Sequence, residues 1–186
     1  MAFKDKKVES FLKEVASSSP TPGGGSVAAV TGATAASLVE MVANLTIGKK
    51  GYEKVEKEME AVAKEVSKLG KNLLVLADKD AEAFEMVMKA YKMKKEDTKR
   101  EGAIQKAFKN AAEIPAETAN LSKKVFMLAK KAEKIGNKNA NSDAKVAMHL
   151  ATAAIASAVE NVKINLPYIK DKDFVAKTRK SLSRLK

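Results

Sequence analysis

The sequence predicts an all-α protein, a bundle of long antiparallel helices. Apolar residues recur at spacings of three and four nearly from end to end, and the alternation of a strand is almost absent. Two of the helical stretches carry stripes rich in small residues, chiefly alanine, which let neighbouring helix backbones approach closely. A balance of 45% hydrophobic and 31% charged residues belongs to a chain that closes around a core. With 186 residues and no internal repeat or long linker, residues 1–186 read as one domain.

The first helix is expected over about Lys4 to Ser17, with Phe3, Val8, Phe11, Leu12 and Val15 available to bury. Pro20, Pro22 and the run Gly23 to Gly25 stop it. A second helix starts near Ser26, with that serine as its N-cap. On it Ala28, Gly32, Ala35, Val39 and Val42 form one small-residue stripe and Ala29, Ala33, Ala36, Glu40 and Ala43 another. The third runs from about Lys54 to Lys92. Its seam, Val55, Met59, Val62, Val66, Leu69, Leu73, Leu76, Asp80, Ala83, Val87 and Ala90, is apolar except for one carboxylate.

The fourth helix spans about Thr98 to Ile135, with a kink expected at Pro115, and ends at Gly136 and Asn137. The fifth runs from Ser142 to Leu166, where Pro167 ends it. Its stripe Ala144, Ala147, Ala151, Ala154 and Ala158 continues into Asn161 and Asn165. Asp171 then caps a short basic helix reaching Arg184. Extended small-residue faces need partners, and a homodimer packing helix faces across a two-fold axis supplies them.

Composition narrows the chemistry. Without cysteine there are no disulfides or thiolate metal sites, and a single histidine, His149, rules out His-pair motifs. No metal is expected. A net charge of +12 raises the question of nucleic acid, but the lysines are spread along every helix among glutamates, with no arginine cluster or aromatic platform. No nucleic-acid partner is therefore expected; a basic helical binding or scaffold protein remains the rival from another class. Val27 to Leu45 is long and apolar, yet rich in small and hydroxyl residues and interrupted by Glu40, which reads as a buried helix and not a membrane span. With no signal-peptide pattern, the cytoplasm is the expected compartment.

The most specific wording is SPTPGGGSVAAVTGATAASLVEMVANLTIGKKGY, Ser19 to Tyr52. Backbone amides at a glycine-led helix start form an anion site, and equally a plain cap; the physics alone leaves both open. PTPGGGSVAA followed by MVANLTIGKKGYE resembles the cyclodeaminase domain of formimidoyltransferase-cyclodeaminase and its stand-alone bacterial relatives. DKDAEAF from Asp78, REGAIQKAFKNAAEIP from Arg100, GNKNANSDAKVA from Gly136 and NVKINL from Asn161 follow in the family's order, so the resemblance reaches Phe174. The chain departs from it at Met93 to Glu96, where MKKE replaces a leucine-proline-lysine turn.

A carboxylate on a buried seam is either paired or shifted upward in pKa, and periodicity leaves Asp80 a structural or a proton-shuttling residue. The resemblance selects the second, since Asp80 aligns with the family's catalytic aspartate. Asp78 turns away from the seam and reads as surface. The candidates for substrate binding are Gly23, Gly24, Gly25, Ser26, Lys49, Lys50, Asn137, Asn141, Asp143, Asn161 and Asn165. Each has a bland counterpart: Asn137, Asn141 and Asp143 suit helix capping, and Lys49 and Lys50 complement a helix end.

The resemblance implies a tetrahydrofolate derivative as substrate, with no cofactor beyond it, and active sites near a subunit interface. It implies closure of 5-formimidoyltetrahydrofolate to 5,10-methenyltetrahydrofolate with loss of ammonia. The alternative within the family is methenyltetrahydrofolate cyclohydrolase, which opens the methenyl bridge to 10-formyltetrahydrofolate. The lack of a fused formimidoyltransferase domain in this chain keeps that alternative open.

Overall fold

The computed structural model describes residues 2–185. A 3-10 turn over Phe3–Asp5 precedes α1 (Val8–Val15), and four long helices follow: α2 (Gly24–Asn44), α3 (Glu56–Lys92), α4 (Arg100–Ile135) and α5 (Asn141–Asn165). A 3-10 turn over Leu166–Tyr168 leads to α6 (Lys172–Ser183). The described residues contain no strand.

Short connections make the four long helices run up, down, up and down. α2 packs against α3 and α5, and α4 against α3 and α5, so the four close a ring. The small residues of α2 also bring it to its diagonal partner α4. At that crossing Gly32 is required, because a Cβ there would lie 2.6 Å from Ser122 Oγ. The expected stripes form the core: Ala29, Ala35, Val39, Val42 and Ala43 of α2 and Ala144, Ala147, Ala151, Ala154 and Ala158 of α5 have no solvent exposure. α2 is long and apolar enough to cross a membrane, but three helices of the same chain cover it.

The N-terminus differs from expectation. The first helix is only eight residues long and buries Phe11 alone, leaving Val8 and Leu12 exposed. It is held through its approach segment instead. The Phe3 amide donates to Asp78 Oδ1, and the Phe3 and Phe11 rings meet edge to face at 5.6 Å. Asp78, expected to be a bystander, is therefore the anchor of the N-terminal turn.

Pro115 lies inside an α4 that is unbroken from Arg100 to Ile135. Proline cannot donate to the carbonyl four residues back, which here is Ala111. Asn165 of α5 donates to that carbonyl instead, at 3.0 Å. At the C-terminus Asp171 Oδ1 caps α6 as expected, accepting from the Phe174 amide.

Unequal helix lengths create the concavity that matters. α2 starts opposite Asp80, whereas α3 continues to Lys92, about 18 Å further at the helical rise. The overhanging ends of α3 and α4 and the turn after α5 enclose the gap left by the shorter α2.

Candidate active site

At this step lies a cleft of about 420 Å³ lined by Gly23, Gly24 and Gly25, by Asp80, Phe84, Met88 and Tyr91 of α3, by Phe108 and Ala111 of α4, and by Asn161, Asn165 and Tyr168. A larger groove of about 720 Å³ runs between α4, α5 and α6, but its floor is apolar and it contains none of the expected site residues. The smaller cleft is the one where polar groups converge.

Asp80 holds the centre. Its carboxyl lies against the first turn of α2, so close to Gly25 that a Cβ there would meet Oδ1 at 2.1 Å. Ser26 is fully buried, and its Oγ sits 3.0 Å from Asp80 Oδ2 and 2.9 Å from the Ala77 carbonyl oxygen. Burial pushes the Asp80 carboxyl above the usual aspartate range, opposed by the Ser26 hydroxyl and then by the Ser26 amide. A carboxyl so placed holds a proton more readily than an exposed aspartate and is suited to taking one up and giving it back.

The expected N-cap is corrected here. Gly23 occupies that position and the helix begins at Gly24, so Ser26 sits one turn in with its side chain turned to α3. Asp80 faces this helix start from another helix, within 3.0 Å of the Ser26 hydroxyl, and no side chain caps α2 locally as the serine was expected to. The amides of Gly24 and Gly25 precede the first intrahelical bond of α2, made by the Val27 amide, and are available to a ligand.

Asn161 and Asn165 line the same cleft from α5. Asn165 spends both amide hydrogens, on the Ala111 and Asn161 carbonyls, and keeps its Oδ1 as an acceptor. Asn161 donates to the Ser157 carbonyl and packs against Gly24. An aromatic wall completes the site: Tyr168 stacks on Phe108 at 4.6 Å, and Tyr91 meets Phe108 edge on. Phe84, Tyr91, Phe108 and Tyr168 were not singled out from sequence. A signal existed, since Phe84 and Tyr91 follow Asp80 on one helical face, but the same spacing describes an ordinary core seam.

The other expected residues lie elsewhere. Lys49, Lys50, Asn137, Asn141 and Asp143 cluster at the opposite end of the bundle, about 30 Å away along α2 and α5. There Asn137 ties the loops together: its side chain donates to the Leu45 carbonyl and accepts from the Asn139 amide and from Lys49 Nζ. Asn141 donates to the Glu133 carbonyl at the end of α4, and Asp143 stands in the first turn of α5. Lys50 is exposed. One subunit does not bring these five to Asp80, because an up-down bundle sends the two ends of α2 and α5 apart. Among the described residues no three histidine or carboxylate side chains gather where they could hold a metal ion.

Comparison with known proteins adds a second line. Residues 7–184 match the family model described as formiminotransferase-cyclodeaminase. The chain is 40% identical over 97% of its length to a methenyltetrahydrofolate cyclohydrolase of Methylorubrum extorquens, spanning 89% of that protein. It is 32% identical to the formimidoyltransferase-cyclodeaminase of Sus scrofa, of which it spans only 34%. The crystal structure of a formiminotetrahydrofolate cyclodeaminase from Thermotoga maritima superposes with a TM-score of 0.91 at 40% identity, over 98% of this chain and 89% of that one.

Proposed function

The chain belongs to the formiminotransferase-cyclodeaminase family, and on that footing we propose that it closes 5-formimidoyltetrahydrofolate to 5,10-methenyltetrahydrofolate with loss of ammonia. It is a folate one-carbon enzyme. The observation that carries the reading is Asp80, a carboxyl raised in pKa by burial, set over the first turn of α2 and opening on the cleft.

In the first step N10 attacks the formimidoyl carbon. Ionised Asp80 takes the N10 proton as the tetrahedral centre forms. The protonated carboxyl then returns that proton to the departing nitrogen, the remaining proton comes from solvent, and ammonia leaves as the N5 lone pair completes the methenyl bridge. The aromatic wall suits a flat ring, and the side-chain oxygens of Asn161 and Asn165 suit its N–H donors. The amides at Gly24 and Gly25 suit an oxygen of the substrate. Holding N10 against the carbon supplies much of the acceleration.

Lys49, Lys50, Asn137, Asn141 and Asp143 enter this scheme through a homodimer, in which the far end of one subunit meets the cleft of its partner. The exposed apolar residues Val8, Leu12 and Ile164 support a bundle that buries more surface in an assembly. We place the protein in the cytoplasm, with a folate derivative and not nucleic acid or membrane as its partner.

Methenyltetrahydrofolate cyclohydrolase is the second reading, favoured by the relative at 40% identity that has nearly the same extent. Both reactions pass through a tetrahedral carbon between N5 and N10, so one cleft serves either. Following methenyl absorbance separates them. Gain of signal with ammonia release from 5-formimidoyltetrahydrofolate supports the cyclodeaminase, and loss of signal from the methenyl compound faster than in buffer supports the cyclohydrolase. No change in either refutes the enzyme.

A further inference from the structure

Ser26 is placed to do more than fill space. Its oxygen lies within hydrogen-bond reach of two groups at once, the Ala77 carbonyl at 2.9 Å and Asp80 Oδ2 at 3.0 Å. A hydroxyl has one proton, and a carbonyl only accepts. Ser26 therefore donates to Ala77 or to Asp80, never to both.

Each choice matches one state of Asp80. With Asp80 ionised, the Ser26 proton points to the carboxylate, and the Ala77 carbonyl keeps its helical bond within α3. With Asp80 protonated, the carboxyl donates to Ser26 Oγ and the Ser26 proton swings to Ala77. Both states pair the Ser26 hydroxyl with the Asp80 carboxyl, and no heavy atom has to move between them. A fully buried serine with this geometry removes the penalty that would otherwise fall on one of the two states.

We propose that Ser26 is a positioning residue whose rotating hydroxyl lets Asp80 act as base and then as acid within one turnover. This deepens the proposed function and rests on it. Among the described residues lining the cleft, Asp80 alone carries a formal charge. The first turn of α2 offers backbone amides, α4 contributes Phe108 and Ala111, and α5 contributes Asn161 and Asn165, all neutral. Among the described residues the other titratable groups lining the cleft are Tyr91 and Tyr168. Lys79 and Glu82, beside Asp80 on α3, are exposed.

The test compares wild type with Ser26→Ala and Ser26→Cys by the pH profile of kcat/KM. It also follows the Asp80 carboxyl by ¹³C NMR, assigned with Asp80→Asn. Removing a donor to the carboxylate disfavours the charged form, so the acid limb and the NMR midpoint both move up by about one pH unit in Ser26→Ala. kcat falls at least about tenfold while KM stays within about twofold, and the weaker thiol donor of Ser26→Cys gives an intermediate shift.

Unchanged midpoints overturn the proposal, even if activity falls, because a merely structural serine lowers rate without moving the titration. Should Ser26→Ala not fold, the near-isosteric Ser26→Cys carries the same test, and a wild-type midpoint there overturns it. The carboxyl titration needs no turnover. A wild-type enzyme inactive on both folates therefore refutes the functional reading separately.

Discussion

Gly25→Ala separates stability from activity at one atom. The new Cβ would stand 2.1 Å from Asp80 Oδ1, 2.5 Å from its Cγ and 2.7 Å from Oδ2. Non-bonded carbon and oxygen do not approach within 3 Å, so the carboxyl must retreat by about 1 Å, and a displacement of that size at a reacting group costs on the order of 100-fold in rate. The retreat also pulls Oδ2 away from Ser26 Oγ. Stability moves less, because alanine gains up to about 1 kcal/mol over glycine inside a helix and offsets part of the lost contact.

Gly24→Ala is the internal control. Its Cβ would meet Asn161 Nδ2 at 3.3 Å, and that amide can shift by a few tenths of an ångström. Steady-state kinetics with the methenyl absorbance, alongside thermal melts by circular dichroism, reads both variants. The expectation is a fall of about 100-fold or more in kcat/KM for Gly25→Ala with a near-native melt, and less than about tenfold for Gly24→Ala. A Gly25→Ala enzyme within threefold of wild type would show that the Asp80 position does not matter, and the assignment would fall.

Three further outcomes are expected. Asp80→Asn lowers kcat by about 10²- to 10⁴-fold. It also raises the melting temperature at neutral pH: a carboxyl with a raised folded pKa stabilises the fold only while protonated and loses that contribution as pH rises through the folded pKa, so the advantage of asparagine vanishes in acid. Equal melting curves at all pH would refute the burial cost. Asn165→Ala orphans the Ala111 carbonyl at a cost of about 1–3 kcal/mol in urea denaturation, and adding Pro115→Ala recovers much of it by restoring a helical donor; strict additivity of the two changes would refute the link. Mixing Asp80→Asn subunits with Lys49→Ala/Lys50→Ala subunits should restore about a quarter of wild-type activity if a two-fold dimer shares the site, and no recovery refutes that sharing.

Asp80 was legible because it broke an apolar period that otherwise ran from Val55 to Ala90, and charge on a buried seam demands a reason. The glycine run was legible as a helix start, though not the carboxyl that faces its first turn, since Asp80 comes from α3, 54 residues beyond Ser26. Asn165 was legible only as a polar residue on the alanine face; that it replaces the donor missing at Pro115 requires α4 and α5 to be side by side. Phe108 and Tyr168 sit 60 residues apart and become one wall only when the turn after α5 folds over α4. The exposed Val8 and Leu12 show the reverse: an amphipathic pattern tells which residues are apolar, not whether a neighbour arrives to cover them.

By itself the sequence determined the helices, the stripes along which they pack and the family, because periodicity and local wording are properties of neighbouring residues. Tertiary structure alone decided which candidates share a site. In an up-down bundle, residues at the start of α2 meet the end of α5, and residues at the end of α2 meet its start. That sorting places Gly25, Asp80 and Asn161 together and sends Lys49 and Asn137 about 30 Å away, since each residue of a helix adds 1.5 Å along a rigid axis.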